Sequence, residues 1–320
     1  MNVFVSILSY SYTNNEGVIL LQWKVFLAYA LAVILWASAF PGIRAGLESY
    51  GPLHLALLRM LIGALGLLVF AISVRMKLPD KKDLPIIFLL GFLGFSVYHT
   101  FLSIGEMTVD AGTASLLVST TPLLSAILAG VFLKEKFNRW GWIGSFVAFS
   151  GVALITFGMG GEFRLEIGAL IILLAALGES FYFVFQSSYL KKYGFLPFTT
   201  YTILAGTLFM LIFSPGLWTA VQNASIESTI TVIYLGLLPT VVPYFAIAYA
   251  TSVNGASEAT STLYLTPVLS IIIAWIWLGE VPTVISIIGG ALTLIGVSFT
   301  TIKGAKQDVE ERPPAYAERG

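Results

Sequence analysis

The chain has 320 residues, of which 57% are hydrophobic and only 11% are charged, and its mean hydropathy is +0.89. Soluble domains carry roughly a quarter charged residues, so this composition excludes a water-soluble globule and predicts an integral membrane protein. The 17 Lys and Arg residues balance 17 Asp and Glu residues, and a chain without excess positive charge is a poor nucleic-acid binder. The chain has no Cys and only two His, which excludes disulfides and His/Cys metal sites. We therefore expect no metal or other cofactor.

Ten stretches of the chain are long and apolar enough to cross a bilayer as helices, each of which needs about 20 mostly apolar residues. The stretches are continuously apolar and do not alternate with period two, which excludes strands as the spanning element. They comprise residues 25–44, 52–75, 84–104, 110–133, 139–157, 168–190, 198–219, 226–250, 256–278 and 283–302. The predicted fold class is therefore an all-α integral membrane protein with ten transmembrane helices in one membrane domain.

Two terminal segments lie outside the predicted spans. Residues 1–22 form an N-terminal extension that lacks the basic segment and the small-residue cleavage site of a signal peptide, and we interpret it as disordered or interfacial. Residues 303–320 are polar and are predicted to be a disordered cytoplasmic tail.

Lys and Arg residues are distributed unevenly between the connecting segments. If the N-terminus is inside, fourteen of them fall on inner segments, and only Arg44 and Arg164 fall on outer loops. This asymmetry is the one described by the positive-inside rule. It predicts that both termini are cytoplasmic.

The chain repeats itself at an offset of 145 residues, and residues 111–152 align without gaps with residues 256–297. Each copy contains five helices, and an odd number of crossings ends on the opposite side of the membrane from where it began. The second copy therefore has the inverted orientation. We therefore predict two inverted five-helix repeats, residues 23–157 and 158–302, a device of secondary transporters that bind substrate near the midplane. The matched residues are Thr121 and Pro122 with Thr266 and Pro267, Glu135 with Glu280, Gly144 with Gly289, and Gly151 with Gly296.

The glycine pairs of the repeat lie seven residues apart, on one face of a helix. Small residues on such a face let helices approach closely, so we assign these glycines to helix packing and not to transport.

Proline residues interrupt several predicted spans. Pro122 and Pro267 occupy equivalent positions in the two repeats, and a proline within a helix removes a backbone hydrogen bond and kinks the helix. Thr or water can satisfy the freed carbonyl group. We predict that these two residues are gating or structural flex points, and that Pro239 and Pro243 break the eighth span.

The first two spans contain further distinctive residues: the first contains Trp36-Ala37-Ser38-Ala39-Phe40, and the second contains Arg59. Together with the paired Thr-Pro helices, each followed by a Glu and a glycine-spaced span, they resemble the EamA family of the drug/metabolite transporter superfamily over about residues 25–302. The resemblance implies an exporter or exchanger of amino acids or related small polar solutes in the inner or plasma membrane. It also implies a central cavity lined by spans 1, 3, 4, 6, 8 and 9.

Ionisable side chains within spans are costly, on the order of 3 kcal/mol at the bilayer centre, and are therefore candidates for function. Glu179 lies about halfway along its span and is the first candidate for a proton-coupled or amine-binding carboxylate, the alternative being a structural Glu. Arg59 is interpreted as part of a structural or gating ion pair, and Glu258 as a first-turn residue favoured by the helix dipole. His99 is a candidate because an unperturbed histidine titrates in the physiological range, although a hydrogen-bonded packing role is the competing interpretation.

Amphipathic aromatic side chains near the middle of several spans could hold a solute. Trp36 lies in mid-span, whereas the other tryptophans fall at span ends. Rings with polar tips suit a zwitterion or an aromatic amine, by stacking or cation–π contact, although such rings also pack ordinary bundles. The predicted substrate-binding set is Trp36, Ser38, Phe40, Tyr98, His99, Glu179, Tyr182, Gln186, Tyr244 and Tyr264, with Arg59, Pro122, Pro267 and Glu258 as gating or structural residues.

The predicted function is that of a secondary transporter which exports or exchanges a small polar metabolite by alternating access, with the proton as a candidate coupling ion. Its partners would be the solute and the lipid bilayer, as a monomer or a homodimer. The alternative is an exporter of drugs or other cationic compounds. An enzyme is disfavoured because neither HExxH nor GxSxG occurs, and a channel because no ring of selectivity groups is evident.

Overall fold

A computed structural model describes residues 16–132, 139–158, 166–254 and 265–310. Within these ranges all regular elements are helical and no strand is present. Two of the predicted residues, Glu258 and Tyr264, lie outside the described residues.

The helices follow one another with short connections. A π-helix, Phe92–Val97, joins α3 to α4, and short 3-10 turns, Lys81–Asp83 and Leu211–Phe213, precede α3 and follow α10. In chain order the α-helices are α1 (Glu16–Leu47), α2 (Pro52–Ser73), α3 (Leu84–Gly91), α4 (Tyr98–Gly105), α5 (Ala111–Val118), α6 (Thr121–Phe132), α7 (Arg139–Gly158), α8 (Ile167–Phe185), α9 (Ser187–Tyr193), α10 (Phe195–Met210), α11 (Leu217–Asn223), α12 (Ile226–Leu237), α13 (Val242–Asn254), α14 (Thr266–Leu278) and α15 (Val284–Glu310).

Seven helical runs among the described residues are long and apolar enough to cross a membrane, so the chain is a helical integral membrane protein. Three further apolar helices, Trp142–Ile155, Thr266–Leu278 and Val284–Gly296, are shorter and overlap the fifth, ninth and tenth predicted spans. That the chain crosses the membrane ten times and that both termini are cytoplasmic remain predictions. The seven runs are Trp23–Leu47, Pro52–Ser73, Lys81–Gly105, Ala111–Phe132, Ile167–Phe185, Phe195–Phe213 and Ile226–Ile247.

Helical backbone extends beyond both ends of the predicted membrane domain. α1 begins at Glu16, within the predicted N-terminal extension, and α15 continues to Glu310, within the predicted tail. Residues 303–310 include Lys, Ala, Gln and Glu, which favour helix, and the first proline of the tail comes later at Pro313.

Local sequence signals set several helix ends. Pro52 begins α2 at a position where its missing N–H costs nothing. The side chain of Asp110 accepts a hydrogen bond from Thr113 N and caps α5. Gly279 ends α14 in the left-handed conformation, with φ +69, which favours glycine.

The prolines lie beside interruptions of the fourth and eighth spans. Between α5 and α6 the helix is broken, so that Pro122 stands second in a new helix and does not kink a continuous one. Pro267 likewise stands second in α14. The eighth span is broken between α12 and α13, as Pro239 and Pro243 predict.

Glycines allow the closest approach between helices. α7 packs along α15, and a Cβ added to Gly289 would lie 2.7 Å from the carbonyl oxygen of Gly151. A Cβ added to Gly296 would lie 2.5 Å from the carbonyl oxygen of Gly144. The two glycine pairs therefore form the packing face that their spacing predicts.

Helices from both halves of the chain pack together and enclose a common buried core. α1 packs against α13 and α14, and α8 packs against α4 and α6. A buried apolar cluster runs along α1, α4, α5, α8 and α12, and a second one joins α2, α3, α8 and α10. The candidate site lies among these helices.

Candidate functional site

Two buried charged side chains lie at the breaks of interrupted helices. Arg59, on α2, is only 2% exposed, and its Nε and Nη2 atoms donate to Thr240 Oγ1 at 3.2 and 3.1 Å. Thr240 lies in the break between α12 and α13. Glu179, on α8, is 7% exposed, and its Oε2 atom accepts a hydrogen bond from Thr121 Oγ1 at 3.1 Å, beside the break between α5 and α6. In both contacts the charge and the threonine come from different halves of the chain.

The helix breaks provide these partners for a physical reason. An interrupted helix leaves backbone carbonyl groups without their usual donors, and hydroxyl side chains satisfy them. Thr240 Oγ1 donates to Leu235 O at 2.8 Å, and Ser180 Oγ donates to Thr121 O at 3.1 Å. At each break, therefore, side-chain hydroxyl groups donate hydrogen bonds to freed carbonyl groups, and a threonine of the break contacts an intramembrane charge.

Four aromatic rings, Trp36, Phe95, Tyr182 and Tyr244, form what we call the aromatic cluster. The ring centroid of Tyr244 lies 5.2 Å from those of both Trp36 and Phe95, and Phe95 lies 5.0 Å from Tyr182. Edge-on arrangements such as Trp36 with Tyr244 are favoured by the ring quadrupoles. Trp36 is partly exposed within the bundle, whereas the other three rings are buried. The cluster joins α1, the π-helix, α8 and α13.

Phe95 is the residue of this cluster that is absent from the predicted substrate-binding set. It lies in the π-helix, a turn that is rare and is found frequently at functional sites. Gly94 beside it allows the close contact, because a Cβ there would lie 2.5 Å from Tyr182 Cβ. The available signal was a glycine within a phenylalanine-rich segment, Phe92 to Phe95.

The aromatic cluster lies close to both charges. The hydroxyl groups of Tyr98 and Tyr244 are near enough to interact electrostatically with both Arg59 and Glu179. The His99 ring centroid is 5.0 Å from that of Tyr98, and neither of its ring nitrogens has a hydrogen-bond partner within the described ranges. The site thus combines a cation, a carboxylate, aromatic faces and an unpaired imidazole.

Other predicted residues lie apart from the aromatic cluster. The Ser38 hydroxyl lies 2.6 Å from Tyr234 Oη and donates to Leu35 O at 2.9 Å, so it faces α12. Phe40 is buried in the cluster along α1, α4 and α5. Gln186 is half-buried and ends α8.

The ion pair predicted for Arg59 is not found among the described residues, and Glu258 lies outside them. No carboxylate of the described residues lies within salt-bridge distance of its guanidinium group, which is bonded to Thr240 instead. Its Nη1 atom has no partner in the part of the chain that the structure describes. A buried guanidinium with a free donor can bind an anionic group.

A charged contact also lies at the end of the bundle where α9 meets the segment before α3. Lys192 Nζ donates to Asp80 Oδ2 and Asp83 Oδ2, and Tyr193 Oη donates to Asp83 Oδ2. Hydrogen bonds to the two aspartates raise the pKa of Lys192 above its usual value. This contact connects the two halves away from the aromatic cluster.

The chain is similar to known membrane transporters along most of its length. The model of the EamA-like transporter family matches residues 22–157 and 166–302. A Bacillus subtilis protein named "Uncharacterized transporter YdfC" is 57% identical over 285 residues, covering 89% of this chain and 93% of the relative. A Streptantibioticus cattleyicolor protein named "Probable terminal-alkyne amino-acid exporter" is 38% identical over 275 residues, covering 86% and 92%. One crystal structure matches with a TM-score of 0.60 and 17% identity over 89% of this chain and 98% of that one, which supports the fold alone.

Proposed function

Since this chain belongs to the EamA-like transporter family, we propose that it is a secondary transporter that exports or exchanges a small polar metabolite of the amino-acid class. It is a multi-pass membrane transporter and not an enzyme. The proposal extends this to alternating access between two inverted repeats in the cell membrane, with the proton as the coupling ion.

The observation that carries the proposal is the arrangement of Arg59 and Glu179 around the aromatic cluster. An amino acid has a carboxylate and an ammonium group, and a buried guanidinium and a buried carboxylate are their complementary partners. Tyr98 and Tyr244 lie within electrostatic reach of both charges, so a zwitterion held against their rings would interact with both. The named exporter relative supports the amino-acid class.

Two observations support the inverted repeat. The family model matches the chain twice, over residues 22–157 and 166–302. An offset of 145 residues maps the contact of Gly151 with Gly289 onto that of Gly296 with Gly144, as a two-fold relation between α7 and α15 requires. Such a relation is typical of transporters whose halves rock around a central site.

Glu179 is the proposed group for amine binding or proton exchange. Its oxygen atom Oε2 is bonded to the neutral hydroxyl of Thr121, and no ion pair with it is found in the described ranges. A carboxyl group in such an environment can be neutral or can bind a cation, because a buried unpaired charge is costly. Exchange of a proton for an ammonium group would couple export to the proton gradient.

The first experiment compares the extracellular metabolites of cells with and without overexpression of the chain, without preselection. The metabolite with the largest increase is then loaded into proteoliposomes that contain the purified protein. We expect an amino acid or a related zwitterion, with transport driven by a pH gradient. Enrichment of hydrophobic cations alone would favour the drug-exporter alternative.

The second experiment tests the site with matched variants. We expect Glu179→Gln to abolish proton-driven transport and Trp36→Ala to lower it at least about tenfold, because both remove contacts near the proposed solute. Glu227→Gln and Trp218→Ala are the controls, since both side chains are exposed, unlike those of the site. Transport that is indifferent to the first two substitutions would overturn the site assignment.

A further inference from the structure

A second charged cluster lies at the end of the bundle where α1 ends, beside a pocket of about 520 Å³. Arg44 Nε donates to Glu280 Oε1 at 2.9 Å, and Arg44 Nη1 donates to the backbone oxygen of Glu106 at 2.6 Å. Glu280 Oε2 accepts a hydrogen bond from Ala111 N at 3.1 Å. The cluster thus joins α1, the turn between α4 and α5, and the segment before α15. Positive-inside counting assigns this end to the outside.

The carboxyl group of Glu106 is unusual in this setting. Its side chain is fully buried, at 0% exposure, and neither carboxyl oxygen has a hydrogen-bond partner within the described part of the chain. A buried carboxylate ion without donors is costly, so this geometry favours the neutral, protonated group. In agreement, burial raises the pKa of Glu106 well above its usual value.

The charged groups that face Glu106 come from four directions. Arg44 on α1 and Arg59 on α2 favour its ionised form, whereas Glu280 and Asp110 oppose it. Arg59 is bonded to Thr240, and Asp110 caps α5. Arg44 is half-exposed and already contacts the backbone of Glu106, so among these described groups it is the cation that can turn to the carboxylate.

We propose that Glu106 is a proton-binding group that controls an outer gate through Arg44. With the proton bound, Arg44 stays on Glu280 and closes the end of the bundle. When the carboxyl group releases its proton to water in the pocket, Arg44 turns from Glu280 to the new carboxylate. Loss of the Arg44–Glu280 pair frees α1 from the segment before α15 and opens a path toward the aromatic cluster. This inference rests on the proposed alternating access and adds a proton site distinct from Glu179.

The gate can be tested without a transported solute, because the chain contains no Cys. Ser103→Cys places a single thiol one helical turn before Glu106, where the native side chain is 0% exposed. Met107→Cys provides the matched control, since Met107 is 56% exposed and lines the pocket. The protein is placed in lipid nanodiscs, where both faces are accessible, and is labelled with a charged maleimide at about pH 6 and about pH 9, on either side of neutrality.

The measured quantity is the labelling rate of Ser103→Cys divided by that of Met107→Cys at the same pH. This ratio increases when the outer gate opens. We expect this ratio to rise by up to about fivefold from the lower to the higher pH, because the loss of a partly exposed ion pair shifts the opening equilibrium by up to about that factor. In the Glu106→Gln background the ratio should stay low at both values. In the Glu280→Gln background it should be high at both.

Retention of the pH-dependent rise in Glu106→Gln would overturn the proposal, as would a low ratio in Glu280→Gln. Arg44→Gln removes the mobile cation and should also give a high ratio without pH dependence, so the proposal stays testable if one variant does not fold. Ala39→Cys, on α1, is a second reporter, since Ala39 is 7% exposed. A negative result here would leave the transport effects of Glu179→Gln and Trp36→Ala intact, which separates failure of the gate from failure of the proposed function.

Discussion

The contact between α7 and α15 makes a quantitative prediction for Gly151→Ala. A Cβ at this position would lie 2.6 Å from the backbone nitrogen and from Oγ1 of Thr293, whereas ordinary contacts begin at 3.4 Å. The carbonyl oxygen of Gly289 lies closer still. Because these neighbouring atoms are backbone and a β-branched side chain, α15 must retreat by more than about 0.8 Å. Overpacking of this kind costs about 1–3 kcal/mol, and the better helix propensity of Ala offsets roughly 0.5–1 kcal/mol of that.

The matched control is Gly66→Ala on α2. Among the described atoms, its added Cβ would meet only Leu237 Cδ2 at 3.9 Å, an ordinary contact. Helix propensity is then the remaining effect, and we expect a gain of roughly 0.5–1 kcal/mol. The two substitutions are chemically identical and should change the free energy of unfolding in opposite directions.

Thermal unfolding of the purified protein in detergent, followed by tryptophan fluorescence, measures both variants. At about 2–4 °C per kcal/mol, Gly151→Ala should lower the melting temperature by several degrees, and Gly66→Ala should raise it slightly. If Gly151→Ala melts at or above the temperature of Gly66→Ala, the backbone approach between α7 and α15 is not as close as described, and the packing argument is refuted.

Three further predictions concern the charged and aromatic contacts. Thr240→Val keeps the side-chain shape but removes the hydrogen-bond acceptor of Arg59, and should lower the free energy of unfolding by about 2 kcal/mol; an unchanged melting temperature would contradict this. Phe95→Leu should lower transport of the identified solute several-fold in proteoliposomes, whereas Phe88→Leu, which alters a residue with 36% exposure, should not. Lys192 has a raised pKa, so its contribution to stability is present below the usual value of 10.5 and is lost as pH rises through the folded-state pKa. The difference in melting temperature between the native protein and Lys192→Gln should therefore stay constant from about pH 6 to about pH 9 and shrink only above the usual lysine pKa.

Features that depend on local composition or spacing could be predicted from the sequence. The helical class follows from long apolar runs, and the break of the eighth span follows from Pro239 and Pro243, because a proline cannot continue a backbone ladder. The packing of Gly151 against Gly289 follows from glycines seven residues apart on one face. A charge within an apolar run, such as Glu179, also stands out, since the cost of placing it there is independent of the rest of the fold.

The partners of these residues depend on contacts between distant segments, and the sequence does not specify them. Thr121 belongs to the repeated Thr-Pro motif, but nothing in the sequence pairs it with Glu179, or Thr240 with Arg59. These contacts form only because the helix breaks lie against the other half of the chain.

Glu106 illustrates the same limit for burial. It directly follows the helix that ends at Gly105, where a carboxylate is ordinarily solvated, and its neighbours in the sequence contain no sign of burial. Its isolation arises because Arg44 and Glu280, from opposite ends of the chain, close over the same turn. In the proposed alternating access these segments would separate, so Glu106 would lose and regain this environment with the motion. On the proposed gate, Glu106 would therefore couple proton binding to the opening more directly than the mid-span Glu179, because Arg44 and Glu280 already contact its turn.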